Sequence, residues 1–375
     1  MEHTFYPQYR GTYIQVDLKA IAHNAKLLKK ETAQEKHMLA VVKANAYGHG
    51  IVQVAKVVLR NGADHLGVAI PEEGETLRSA GITAPILVMG GVNEKGAAAS
   101  VKWDLIQTVF DPERLFMLEK AAAEQGKQVQ VHLKIDSGMG RIGVRSEGEV
   151  AEILSALKKC PHVRLTGAFT HFADADGEEE TYTRRQMARF ENLAAMLPEG
   201  IMLHAAASAA AARFVEARYD MVRQGIALYG CAAGNSTFDV QPALSWHTEI
   251  VYLKSIEAGE CVSYGCTFTA DKKTRVATLP VGYGDGYSRA LSGKAQVLIA
   301  GKRCRVLGRV CMDQIMVDVT GLSDEEAYTG APAVLLGGQG NERITADEMA
   351  EWAGTISYEM LMSATARVPV MYLKA

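Results

Sequence analysis

Between Leu39 and Ile226 the chain repeats one beat, a short apolar run followed by an amphipathic helical segment. The runs are Leu39–Val42, Leu66–Ile70, Ile86–Met89, Leu105–Phe110, Val129–Ile135, Leu165–Phe169, Met202–Ala206 and Met221–Ile226. Helical periodicity lies between them: Pro112–Gln125 puts Leu115, Leu118 and Ala122 on one face, Thr181–Leu197 is similar, and Ala20–Lys30 precedes the first run. An open doubly wound sheet would show the same alternation. The count of eight favours closure, and a (β/α)8 barrel is the fold class expected for this part of the chain.

The beat leaves two regions over. Tyr13–Leu18 reads as a strand outside the count that must pair elsewhere. After about Ala233 the pattern becomes alternating strands with few helices: Glu249–Lys254, Val276–Val281, Gln296–Ile299, Cys304–Leu307, Gln314–Val319 and Val334–Leu336. Gly234-Asn-Ser-Thr237 reads as a linker-like turn. The expected organisation is an N-terminal segment 1–12, a strand at 13–18 pairing with the C-terminal domain, a barrel at 19–233, and a second, mainly β domain at 234–375.

Composition narrows the function classes. A formal charge of −3 over 375 residues, with no long run of one sign, gives no electrostatic case for nucleic acid or an anionic membrane. No apolar stretch has the length of a membrane span, and Met1–Pro7 lacks the pattern of a signal peptide. The six cysteines show no C-x-x-C pair and no zinc-ligand spacing, so reduced thiols, no metal and a cytoplasmic location are expected.

The chemistry is concentrated where barrel enzymes keep it, at the C-terminal ends of the strands. Lys43 ends the first run, before the turn formers Asn45, Gly48 and Gly50. A lysine with a depressed pKa can form a Schiff base with an aldehyde such as pyridoxal phosphate. Taken alone, this segment fits a lysine reaching solvent equally well. Lys134 and Asp136 end the fifth run, His171 the sixth, Ser208 follows the seventh, and Arg223 and Gly225 lie in the eighth. Ser208 and Gly225 stand where barrels often bind phosphate, although helix capping and a tight turn explain them as well. So many polar groups at one end argue for one site.

These residues lie in longer blocks. Val41-Val-Lys-Ala-Asn-Ala-Tyr-Gly-His-Gly50, Asp136–Gly143, Thr170–Ala173, Met221–Gly230, Val262-Ser-Tyr-Gly265, Val281–Gly286, Gly308–Asp313 and Arg367–Pro369 together resemble the alanine racemase family, over nearly the whole chain. The resemblance implies an isomerase that interconverts L- and D-alanine with pyridoxal 5'-phosphate and supplies D-alanine for peptidoglycan. It makes Lys43 the cofactor-bearing lysine and one base, and Tyr264 the opposed base, since racemisation removes a proton from one face and returns it to the other. A phenol ordinarily titrates near 10, so positive neighbours are needed, and the family links the tyrosine through a histidine to an arginine, here His171 and Arg223. Without the family, Tyr264 reads as an aromatic packed in a strand.

Further implied roles are a phosphate shell of Tyr47, Ser208, Gly225, Ile226 and Tyr358, substrate contacts from Arg141 and Met312, and an entrance narrowed by Tyr283. Lys134 matches a position often carbamylated in relatives, with an unmodified lysine paired to a carboxylate as the alternative. Arg223, which does not surrender its proton, would face the ring nitrogen. The sequence departs from the family pattern at Ala207, usually Asn, and at Cys266, often Ala, here read as a small buried hydrophobe. The resemblance also implies a homodimer with shared active sites. An amino-acid racemase of broader range, accepting serine, is the nearest alternative, because one side-chain group is worth only about 1–3 kcal/mol in such a pocket.

Overall fold

A computed structural model describes residues 9–231 and 238–374. The linker-like turn at 234–237 lies outside the described residues. The chain forms two compact units, one of residues 20–46 and 50–241, the other of residues 1–19, 47–49 and 242–375.

The first strand, β1 (Tyr13–Asp17), belongs to the second unit. The first unit contains β2 (His37–Val41), β3 (His65–Val68), β4 (Ile86–Val88), β5 (Ile106–Val109), β6 (Val129–Lys134), β7 (Val163–Phe169), β8 (Met202–His204) and β9 (Met221–Gln224). All eight pair in parallel, in chain order from β2 to β8, with β9 returning beside β2. Between β8 and β9 the ring closes through Asp220 N to Leu203 O at 3.0 Å and Arg223 N to Ala206 O at 2.9 Å. The expected barrel is therefore present. Most residues of its strands are buried, which is why they read as apolar runs.

The second unit continues with β10 (Leu244–Glu249), β11 (Tyr252–Ile256), β12 (Cys261–Val262), β13 (Phe268–Thr269), β14 (Thr274–Leu279), β15 (Gln296–Ile299), β16 (Lys302–Leu307), β17 (Ile315–Asp318), β18 (Pro332–Gln339), β19 (Glu342–Ile344) and β20 (Val370–Leu373). β1 lies antiparallel to β10 and parallel to β20, and β12 and β13 form a separate hairpin. The run Glu249–Lys254 is not one strand. β10 bonds to β18 and β11 to β14, and the chain changes partner at Ile250, whose N donates to Ala331 O, and Val251, whose N donates to Thr278 O. Apolar residues continue through this corner, so hydropathy does not mark it.

Asp285, fully buried, ties together a loop of this unit. It accepts from Arg10 Nη2 at 2.6 Å and Gly282 N at 3.1 Å, and its carbonyl accepts from Thr365 N at 2.9 Å. The next residue, Gly286, has φ +100° and presses against the Ser363 carbonyl. Only glycine fits there without strain. Gly286→Ala should destabilise the unit by more than about 2 kcal/mol and lower its thermal midpoint in calorimetry. An unchanged midpoint would contradict this account of the loop.

Candidate active site

Lys43 follows β2 at the C-terminal mouth of the barrel and is half-buried. Beyond it Ala44, Asn45, Ala46 and Tyr47 take φ values of 52°, 54°, 54° and 52°, a left-handed turn built without glycine. Each such residue costs roughly 1–2 kcal/mol, so its neighbours must hold it. The Asn45 carbonyl accepts from Gly50 N, and its Oδ1 accepts from Ile51 N, both at 2.9 Å. Glu73, in the helix Pro71–Ser79, accepts from Ala44 N at 2.5 Å and Ala69 N at 2.8 Å. Burial, then the Arg141 charge, lower the Lys43 pKa, and Glu73 opposes them. The amine is thus biased toward its neutral, nucleophilic form.

Arg223 is a buried cation of the mouth. Its Nη2 donates to Ala205 O at 2.7 Å, Thr170 O at 2.9 Å and His171 Nδ1 at 3.3 Å, while Nη1 donates to His204 Nδ1 at 3.2 Å. It forms no ion pair, and its Nε no hydrogen bond, among the described residues. Burial and Arg141 bring its pKa down to about 9, so it stays charged at neutral pH. Burial and the charges of Arg223, Arg141, Lys134 and Lys43 push His171 down to about 3. With His171 Nδ1 accepting from Arg223, its proton belongs on Nε2.

Lys134 is buried at the end of β6, donates to Ile135 O at 3.1 Å and stands 5.2 Å from the Phe169 ring centroid. Burial, Arg223 and Arg141 lower it to about 7 against the pull of Asp136. It pairs with no carboxylate among the described residues; Asp136 instead accepts from Gly138 N at 3.1 Å and Gly140 N at 2.9 Å. Arg141 is exposed, yet its charge acts on Lys43, Lys134, His171 and Arg223. Ser208 does not cap its helix. Ala207 holds that place, and the Ser208 hydroxyl accepts from Gly225 N at 2.9 Å, joining the two candidate phosphate segments; Ile226 follows, buried.

In the second unit, Tyr264 is 67% exposed in a tight turn, not packed in a strand, because β12 stops at Val262. Met312 and Tyr283 are exposed as well. The loop 308–313 organises all three: Ser263 Oγ donates to Arg309 O at 2.6 Å, Tyr283 N to Cys311 O at 3.0 Å, and Gly284 N to Met312 O at 2.8 Å. Tyr47 and Tyr358 stand 5.7 Å apart between ring centroids, and burial with the Tyr358 charge raises the Tyr47 pKa, so it remains a hydrogen-bond donor. Cys261 and Cys266 are exposed and disulfide-bonded, contrary to the reduced, buried reading of Cys266; Cys160, Cys304 and Cys311 are free. The sequence signal for that bond, two cysteines five apart with a strand end between them, carries no general pairing rule.

The barrel mouth suits an aldehyde cofactor that also bears a phosphate and a basic ring nitrogen. It offers an amine whose pKa is lowered by burial and by Arg141, a buried guanidinium without an ion pair among the described residues, and a serine and glycine drawn together. The fold is that of a barrel enzyme with its polar residues gathered at the C-terminal mouth. The comparisons agree. Residues 16–233 match "Alanine racemase, N-terminal domain" and residues 243–372 match "Alanine racemase, C-terminal domain". An alanine racemase of Symbiobacterium thermophilum is 45% identical over 97% of both chains, and alanine racemase 1 of Bacillus subtilis is 41% identical over 98% of this chain and 94% of that one. The crystal structure of alanine racemase from Bacillus anthracis with bound L-Ala-P superposes with a TM-score of 0.92 at 38% identity, covering 98% of this chain and 96% of that one. The chain belongs to the alanine racemase family of pyridoxal-phosphate-dependent isomerases.

Glu73 was not legible as a site residue, since a glutamate in the first turn of a helix is ordinary. Its carboxylate both clips the Lys43 turn and opposes the shift of Lys43. Glu73→Gln keeps an acceptor and removes the charge, so the Lys43 pKa should fall further. The acid limb of cofactor attachment, followed by absorbance against pH, should move to lower pH. A limb that stays in place would contradict the role given to Glu73.

Proposed function

We propose that Lys43 and Tyr264 are the two bases with which this chain interconverts L- and D-alanine, Lys43 on one face of the α-carbon and Tyr264 of the partner subunit on the other. The observation that carries the reading is Lys43 held toward its neutral form by burial and then by the Arg141 charge, in a mouth that also holds Lys134 and Arg223. Those charges attract the substrate carboxylate and the cofactor phosphate. Pyridoxal 5'-phosphate, when bound at Lys43, supplies the electron withdrawal that makes the α-proton acidic.

Around it, Tyr47, Ser208, Gly225, Ile226 and Tyr358 would hold the phosphate. Arg223 keeps its proton and would leave a ring nitrogen placed against it without one, which would favour reprotonation over transamination. Arg141 would bind the substrate carboxylate, Met312 would contact the substrate, and Tyr283 would narrow the entrance. Lys43 Nζ takes or returns the proton on its face, and the Tyr264 phenol does so on the other. The Nε2 proton of His171 would be a donor for the Tyr264 phenol oxygen, and His171 is connected behind to Arg223. The large exposed side chains Tyr264, Tyr283 and Met312 on one scaffold loop suit contact with a second copy of the chain. A homodimer, a cytoplasmic location and supply of D-alanine to peptidoglycan complete the reading. No residue described favours the broader-range alternative.

Lys134 near neutrality has the unprotonated amine that attack on carbon dioxide requires, which supports a carbamate there. Protein prepared with carbon-13 dioxide should give a carbamate resonance that Lys134→Ala lacks, and identical spectra would refute it. For the central reading, borohydride reduction should fix the cofactor on Lys43, and a D-amino-acid assay should favour alanine over serine. Absence of trapped cofactor would overturn it. Mixed dimers of Lys43→Ala and Tyr264→Phe chains should regain activity through their one intact site, and inactive mixtures would rule out sharing.

A further inference from the structure

The hairpin of β12 and β13 presents Tyr264 in its loop, and Cys261 and Cys266 bracket that residue. Their Cα atoms are 5.1 Å apart, inside the range a disulfide spans, and the two are bonded. Within the bracket the backbone is unusual: Ser263, Gly265 and Cys266 have φ of 68°, 71° and 45°. Two of these are L-residues in a region that costs energy unless the surroundings hold it. On the other side the loop is anchored by Ser263 Oγ, which donates to Arg309 O at 2.6 Å and lies 3.4 Å from the free thiol of Cys311. Both bracketing cysteines are exposed, as reaction with a dissolved reagent demands.

We propose that Cys261 and Cys266 form a reversible thiol–disulfide site that takes a low-molecular-weight disulfide as oxidant, and that its closure fixes the turn presenting Tyr264. One cysteine thiolate attacks the reagent's disulfide, forms a mixed disulfide and expels one reagent thiolate. The second cysteine thiolate then attacks the protein sulfur of that mixed bond and expels the other. Two protein thiols and one reagent disulfide become one protein disulfide and two reagent thiols; two electrons pass to the reagent, and the two protons released by the cysteines end on its thiols. In the open form Ser263 and Cys266 are free to leave the left-handed region, and Tyr264 loses its fixed presentation. Neither cysteine touches the reacting atoms; both position Tyr264, so the inference rests on Tyr264 as a base.

The test equilibrates the holoenzyme in glutathione and glutathione disulfide at graded ratios. Acid quenching, alkylation and peptide mass mapping then read the thiols, and steady-state kinetics are measured at each ratio. Cys261 and Cys266 should lose alkylation together, and kcat should rise several-fold along the same curve with KM changing less. Cys266→Ala should hold one kcat at every ratio. Cysteines that stay alkylated, that stop as glutathione adducts or that bond Cys311 instead would overturn the site. A kcat that stays flat or falls on closure would overturn its effect on Tyr264. Alkylation reads the bond without reference to Tyr264, so an active Tyr264→Phe enzyme would refute the base assignment separately from the thiol chemistry.

Discussion

The structure of the barrel mouth depends on positive charge buried without matching carboxylates. Arg223 is enclosed, yet its hydrogen bonds go to two carbonyls and two histidine nitrogens. Lys134 is buried beside it with one carbonyl for a partner. Such an arrangement is costly, and a single-purpose scaffold would replace it with apolar packing or a paired acid. The cost is tolerable because burial, and after it the neighbouring cations, shift these groups toward neutrality: Lys43 and Lys134 move down, and His171 is driven to its neutral form. A site that must receive an anionic cofactor and an anionic substrate has reason to keep that excess.

Strain accompanies the charge. The left-handed turn from Ala44 to Tyr47 is held by Asn45 and Glu73, and the turn around Tyr264 by Ser263, Arg309 and the Cys261–Cys266 bond. Both proposed bases therefore stand beside backbone that ordinary propensity would reject. Fixing a proton donor and acceptor in place before the substrate arrives is what such over-determined loops do well. The loop 308–313 adds economy, since one segment sets Tyr264, Tyr283 and Met312 together.

The barrel was legible because its strands are buried on both faces, so eight apolar runs stand out against amphipathic helices. The corner at Ile250–Val251 was hidden because a change of hydrogen-bonding partner leaves hydropathy unchanged. Lys43, Lys134, His171, Ser208 and Arg223 were legible as polar residues at strand ends. Tyr264 was not: it carries no periodic signal, and its exposure follows from where a two-residue strand stops. Glu73 acts through backbone amides and His204 through the Arg223 guanidinium, contacts that join residues far apart in sequence. The left-handed turn escaped because Ala44 and Ala46 look like helix formers.

The central claim is that two different residues serve the two faces of the α-carbon. Exchange of the α-proton in deuterated buffer, followed separately for L- and D-alanine on the Tyr264→Phe enzyme, tests it most directly. The account predicts that one enantiomer continues to exchange through Lys43 while exchange of the other collapses. Equal loss for both enantiomers, or equal retention, would contradict it.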